Sequence, residues 1–330
     1  MDASYASSTV GRVSETRHPR PRRRRPLRAA VGFLVLIAVI GYFAVQRDSN
    51  GGAGAPYCTA TGGADSRQKY EMTPEQAANA ATIAAVGISK GLPDRAVTIA
   101  LATAMQESSL RNLDHGDRDS LGLFQQRPSQ GWGTPEQITD PVYSAGIFYD
   151  HLVDVPGYSR LPLTVAAQKV QRSGYPQAYA KHEPDATVLT AAFGDGGALF
   201  CSGPAPLRGD PEKVRAELVR AFGKQALGGA GSAGGSPDSA TEPVGVQEPE
   251  ISLRLKRDGG PDEARRGRAM ANWAVARSHE LGIARVSYAD EGWIGGKARG
   301  QWQPKGGIGK SGDGDAHNAS DGEVRIFVAR

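Results

Sequence analysis

This chain of 330 residues has few of the residues that metal and nucleophile chemistry need. Its histidines are scattered, and it has no His-x3-His pair, no Cys-x2-Cys pair and no Gly-x-Ser-x-Gly turn. The first two absences leave no zinc site of ordinary spacing, and the third leaves no serine nucleophile at a strand-to-helix elbow. No metal ligand set and no cofactor is therefore expected. Long apolar runs are also scarce. There is one, Ala29 to Val45, and a single span cannot line a pore or a carrier. No aromatic residue is interleaved with the arginines of the most basic segment. Residues 1–28 hold eight arginines against Asp2 and Glu15, a charge of +6, and the whole chain is +4, so the remainder is −2. A basic tail without interleaved aromatics or a folded basic face is a poor nucleic-acid surface, and no nucleic-acid partner is expected.

The seventeen residues of Ala29 to Val45 carry no charge and end at Gln46-Arg47-Asp48. They read as a transmembrane signal anchor rather than a cleaved leader, because no Ala-x-Ala-like site follows, although whether the segment is cleaved stays open. No cysteine follows closely enough to suggest a lipid anchor. The arginines would then stay in the cytoplasm, with everything after residue 46 on the outer side, joined to the membrane through one helix. Residues 46–57 form a stalk rich in Gly, Ser and Ala.

The next region, 58–224, is patterned for helices. Thr73-Pro74-Glu75-Gln76 offers an N-cap, a proline at the first helical position and a capping-box partner. A second helix should start at Pro93-Asp94 and run to Glu107, with others around 141–152, 164–171 and 186–193 and an amphipathic one over 211–222. Alternation of period two is limited to short pieces near Leu121 to Gln125. The two cysteines, Cys58 and Cys201, bracket this region, and outside the membrane such a pair is expected to be bridged. Residues 225–249 lack the apolar content for a core and read as a linker. The last eighty residues, 250–330, hold three of the four tryptophans and read as a small α+β unit. Its elements are a strand (ISLRL), a helix from Glu263 to Leu281, a strand (ARVSYA), a loop from Trp293 to Trp302 and a closing strand.

Glu107 is the residue with chemical promise. It follows Ala96, Ala100 and Thr103 at intervals of four, three and four, so it continues a face of small residues that would press into the domain. A carboxyl held against apolar surface keeps its proton to higher pH, which is what a general acid requires. A surface glutamate at a helix end is the competing interpretation.

The context decides between them. Gln106-Glu107-Ser108-Ser109-Leu110, followed by Ser120-Leu121-Gly122-Leu123-Phe124-Gln125, resembles the paired Glu-Ser and Gly-Leu-(Met or Phe)-Gln motifs of the lytic transglycosylase and goose-type lysozyme superfamily. The resemblance covers roughly residues 70–195. It implies that Glu107 is the catalytic acid and base, that Ser108 helps to orient the sugar, and that Gly122, Phe124 and Gln125 line a cleft. A third family motif, Ala-Tyr-Asn-Ala-Gly, is matched only loosely by Lys169 to Gly174. There Gln171 stands in for the asparagine, and the tyrosine is missing. Among the aromatics around these motifs, Trp132 lies between two glycines and Tyr179 follows the third motif, and both are further substrate-binding candidates.

Taken together, these readings predict a mainly α lysozyme-like domain plus a small α+β C-terminal domain, behind one transmembrane helix. The implied activity is cleavage of peptidoglycan glycan strands by a lytic transglycosylase. A hydrolysing muramidase is the alternative, and it needs a second carboxylate, for which Asp117 and Asp119 are the candidates. A noncatalytic wall-binding or cell-surface scaffold protein with the same fold is the other. The segment from Ala271 to Val328 resembles a C-terminal domain of actinobacterial wall hydrolases, and its end resembles the His-x-His strand of zinc D,D-peptidases. Here that strand reads Val324-Arg325-Ile326, and only Asp313-x-Asp315-x-His317 remains. A binding or scaffolding module is expected. The sequence names no protein partner.

Overall fold

The capping box read at Thr73 forms in the computed structural model, which describes residues 55–63, 66–173, 177–194, 196–224, 249–255, 261–296, 300–304 and 322–330. The Gln76 backbone N–H donates to Thr73 Oγ1 at 3.3 Å, and the Thr73 N–H donates to Gln76 Oε1 at 2.9 Å. Helix α1 (Pro74–Ser89) is alanine-rich and buried over most of its surface, because neighbours cover it on several sides. These are α2 (Asp94–Ser108), α4 (Pro141–Val153), α7 (Pro211–Phe222) and α8 (Pro261–Ala276). Small residues permit that close approach. A Cβ on Gly87 would stand 2.7 Å from the Tyr149 hydroxyl, which donates to Ile83 O at 2.9 Å. The remaining helices are α3 (Pro135–Ile138), α5 (Leu163–Gln171), α6 (Glu183–Phe193) and α9 (Ser278–Leu281).

Strands appear where helices alone were expected. β1 (Tyr57–Thr61) pairs antiparallel with β2 (Lys69–Met72) and β3 (Ala198–Ser202), in the order β2-β1-β3. Cys58 lies directly opposite Cys201, and the two form a disulfide with their Cα atoms 4.1 Å apart. Helix α6 packs on this sheet and on α2, so it connects the cross-linked strands to the helix that carries Glu107.

The second sheet is antiparallel too, ordered β4-β8-β5-β6-β7 from Glu250–Arg254, Glu323–Val328, Ile283–Tyr288, Glu291–Ile294 and Gln303–Pro304. Trp293, expected in a loop, is part of β6 and almost fully buried. Helix α8 packs against β5 and β8 as well as against α1, which explains why Ala269 to Ala276 are buried without a break. Polar contacts reinforce the packing. Asn272 Nδ2 donates to Ala192 O at 2.5 Å, Trp302 Nε1 to Leu199 O at 3.1 Å, and Arg265 binds Leu92 O and Asp94 at 3.1 and 2.7 Å.

Two expectations are corrected by this arrangement. A mainly α lysozyme-like domain followed by a small α+β domain, behind a membrane helix, is replaced by an α+β fold. Residues 55–330 cluster as one compact unit that contains two antiparallel sheets. β1 pairs locally with β2, but its other partner, β3, comes from the far end of the region. The single-pass membrane location, with its cytoplasmic N-terminus and extracellular remainder, is overturned as well: among the described residues no helix is long and apolar enough to cross a membrane. Helix α1, of 16 residues, is only ~24 Å long against a ~30 Å hydrocarbon core, and its apolar surface is covered by protein. The arginine tail 1–28 and the apolar run 29–45 lie outside the described residues, as do most of the stalk 46–57 and of the linker 225–249 and all of Asp313 to His317.

Candidate functional site around Glu107

Glu107 occupies the last turn of α2, at the end of a face on which Ala96, Ala100 and Thr103 are fully buried. The helix stops abruptly because Ser109 and Leu110 both take left-handed backbone conformations, with φ of 54° and 61°. Two side chains of α1 fasten that reversal, Gln76 Nε2 to Ser109 O and Asn79 Nδ2 to Leu110 O, each at 2.8 Å. Glu107 itself stays part-exposed. A carboxyl is thus presented at a helix end that α1 fastens at two points.

Burial pushes the Glu107 carboxyl above its ordinary value of 4.5, while hydrogen bonds from Tyr179 and Gln171 pull in the other direction. The Tyr179 hydroxyl donates to Glu107 Oε1 at 2.6 Å, and its own ionisation is strongly suppressed by burial and by the carboxyl beside it. Among the described residues no cation pairs with Glu107. With burial the larger influence over these neutral donors, the partly desolvated carboxyl favours its protonated form.

Tyr179 brings a phenol to Glu107 from outside the third motif. The expected tyrosine position is empty in sequence, yet a phenol eight residues after Gln171 reaches the carboxyl because the 177–182 segment packs back on α2. Gln171, the last residue of α5, donates from Nε2 to Phe124 O at 2.7 Å. His182, singled out by no motif, lies 3.2 Å from Gln106 Oε1 through its Nε2, and burial, then the nearby Lys181, lowers its pKa.

The Gly122 to Gln125 turn adjoins this group. Gly122 has a φ of 74°, and a Cβ there would stand 2.4 Å from Ile138 O, so both conformation and space require glycine. Ser108 is buried, with its hydroxyl 2.8 Å from Leu123 O and 3.1 Å from Ala104 O, and it ties the turn to α2. Phe124 is fully buried and stacks on Phe148 with centroids 4.6 Å apart. Gln125, part-exposed, holds the loop through contacts of 3.3 Å to His115 O and Gly122 O. Trp132 packs at 4.4 Å against His151 and keeps part of its surface exposed.

The two further carboxylates differ from Glu107. Asp117 is exposed. Asp119 is bound by Arg127 Nε at 2.7 Å and by the Ser129 N–H at 2.8 Å, and Ser129, then Arg127, holds its pKa far below the usual carboxylate range. In the second sheet, Arg325 pairs with the buried Glu323 at 3.1 Å, and Ser252 also bonds Glu323. No group of three His, Cys, Asp or Glu side chains able to hold a metal occurs among the described residues.

No protein-family model matches this chain, and no curated protein does either. The geometry around Glu107 therefore has to carry the functional reading.

Proposed function

We propose that this protein is an enzyme that cleaves peptidoglycan glycan strands at the MurNAc-GlcNAc bond by a lytic transglycosylase mechanism. The observation that carries the reading is the part-exposed Glu107 carboxyl, raised in pKa by burial and held by the neutral hydroxyl of Tyr179. A protonated Glu107 gives its proton to the glycosidic oxygen as the C1–O bond breaks. The resulting carboxylate then takes the proton of the muramoyl C6 hydroxyl, whose oxygen bonds to C1 and closes a 1,6-anhydro ring. One carboxyl serves both steps and ends protonated, ready for the next cycle.

Asp119 supports a one-carboxylate site over a muramidase. Its two oxygens are committed to Arg127 and Ser129, which leaves it poorly placed to attack C1 or activate water. The absence of a cation partner for Glu107 among the described residues supports catalysis over a purely wall-binding role, since a salt-bridged glutamate would be a structural one.

The test is digestion of purified peptidoglycan by the full chain and by its Glu107→Gln variant, with mass spectrometry of the products. Anhydro-muropeptides from the parent alone are expected. Products with free reducing ends would make the protein a muramidase, and wall binding without release by either protein would replace the enzyme with a binding module.

A further inference from the structure

Tyr179 and His182 stand at the two ends of one tight turn. It contains the 3₁₀ segment Ala180–His182 and is closed by the His182 N–H on Tyr179 O at 3.1 Å. With about three residues per turn, side chains three positions apart lie along the same edge, so the phenol and the imidazole face the same way. Both meet the last turn of α2. The Tyr179 hydroxyl donates to Glu107 Oε1 at 2.6 Å, and His182 Nε2 lies 3.2 Å from Oε1 of Gln106, the residue just before. Two consecutive residues of α2 thus receive two side chains from one turn. The Gln106 oxygen only accepts, so Nε2 carries the imidazole proton and donates it. Burial, then Lys181, lowers the pKa of His182, which favours the neutral ring. A neutral donor here fastens the turn without setting beside Glu107 a cation that would depress its pKa.

Resting on the glycan-cleaving reading, we propose that His182 is a positioning residue, whose bond to Gln106 docks the turn on α2 and thereby holds the Tyr179 hydroxyl on the Glu107 carboxyl. The two contacts join residues 72 and 76 positions apart, so local backbone geometry does not fix the phenol on the carboxyl. The next tie along the chain, Glu183 to Arg95 at 2.6 Å, reaches the first turn of α2. That tie lies ~18 Å along the helix axis from Glu107, whereas His182 fastens the turn at Glu107's own end.

The experiment compares the full chain with two variants. His182→Phe keeps a flat ring and removes the N–H, whereas His182→Gln keeps a donor near the position of Nε2. In His182→Phe the Tyr179 hydroxyl should lose its hold on Glu107. That bond favours the charged carboxylate, so the Glu107 midpoint in a ¹³C carboxyl titration should rise. With it, kcat on peptidoglycan should fall about tenfold while KM changes little. In His182→Gln the midpoint should return to that of the parent, and kcat to within about threefold. An unmoved Glu107 midpoint in His182→Phe, or equal losses of kcat in the two variants, would overturn the proposal, because a merely structural residue would produce either. A second measurement uses the parent protein, so it does not depend on a variant folding. The imidazole ¹⁵N resonances of His182 should show Nε2 protonated in the neutral ring, and Nδ1–H as the main neutral form would also overturn the proposal. Neither NMR measurement needs turnover, so both separate this failure from failure of the enzymatic reading, which inactivity of the parent on peptidoglycan would signal.

Discussion

Glu107 and Asp119 flank the same two motifs, and the fold treats them in opposite ways. Glu107 sits at the end of a buried helix face and receives neutral donors, so burial prevails and its pKa rises. Asp119 sits in a loop, receives the hydroxyl and backbone N–H of Ser129 and the guanidinium of Arg127, and its pKa falls. The comparison teaches that a carboxylate beside these motifs is not thereby able to hold a proton. What matters is whether its partners stabilise the charge so fully that the proton never returns.

The largest effect expected from breaking this contrast is chemical. Glu107→Gln keeps the acceptor for Tyr179 but carries no transferable proton, and turnover of peptidoglycan should fall by about a thousandfold or more, read from product release by mass spectrometry. A change far from both carboxylates separates scaffold from site. Replacing Cys58 and Cys201 by serine opens a cross-link spanning 143 residues, which in the chain-entropy account should cost roughly 4–5 kcal/mol of stability. Denaturant unfolding measures the loss, and the Glu107 titration of the folded variant should not move.

Asp119→Asn sharpens the comparison from the other side. It keeps the shape of the clip and removes its charge, so activity should fall by less than about tenfold with no shift of the alkaline limb. A loss comparable to that of Glu107→Gln would restore Asp119 as a second catalytic carboxylate. The smallest effect is thermodynamic. Because the folded pKa of Glu107 lies above its unfolded value, the protein is relatively favoured when this group is protonated, and that advantage disappears as pH rises through the folded pKa. Glu107→Gln should therefore unfold at a higher temperature than the parent at pH 7, by on the order of a few degrees, and the gap should close as pH falls below 4.5.

Local signals in the sequence carried the helices and the placement of Glu107 at a helix end. The capping box at Thr73, the proline before Asp94 and the small-residue face leading to Glu107 each act within one or two turns, and each is found where it was expected. The cysteine pair was also legible, because only one pairing exists. Long-range contacts were not. β1 needs β3, across the whole first region, before either is a strand, and α8 needs α1 on one side and a sheet on the other. The same limit hid the roles of the site residues. Ser108, Phe124 and Gln171 share the motifs' spacing with sugar-binding groups, yet their side chains are spent on Leu123 O, Phe148 and Phe124 O. Tyr179 reached the carboxyl from outside the motif that should have supplied a tyrosine.

The contrast between Glu107 and Asp119 lies in their protonation in the unmodified protein, and a single ¹³C carboxyl NMR titration of the full chain reads both. It should place the Glu107 midpoint above 4.5 and the Asp119 midpoint below 3.8. A Glu107 midpoint at or below 4.5 would contradict it, because a carboxyl that has already lost its proton cannot serve as the acid that begins cleavage.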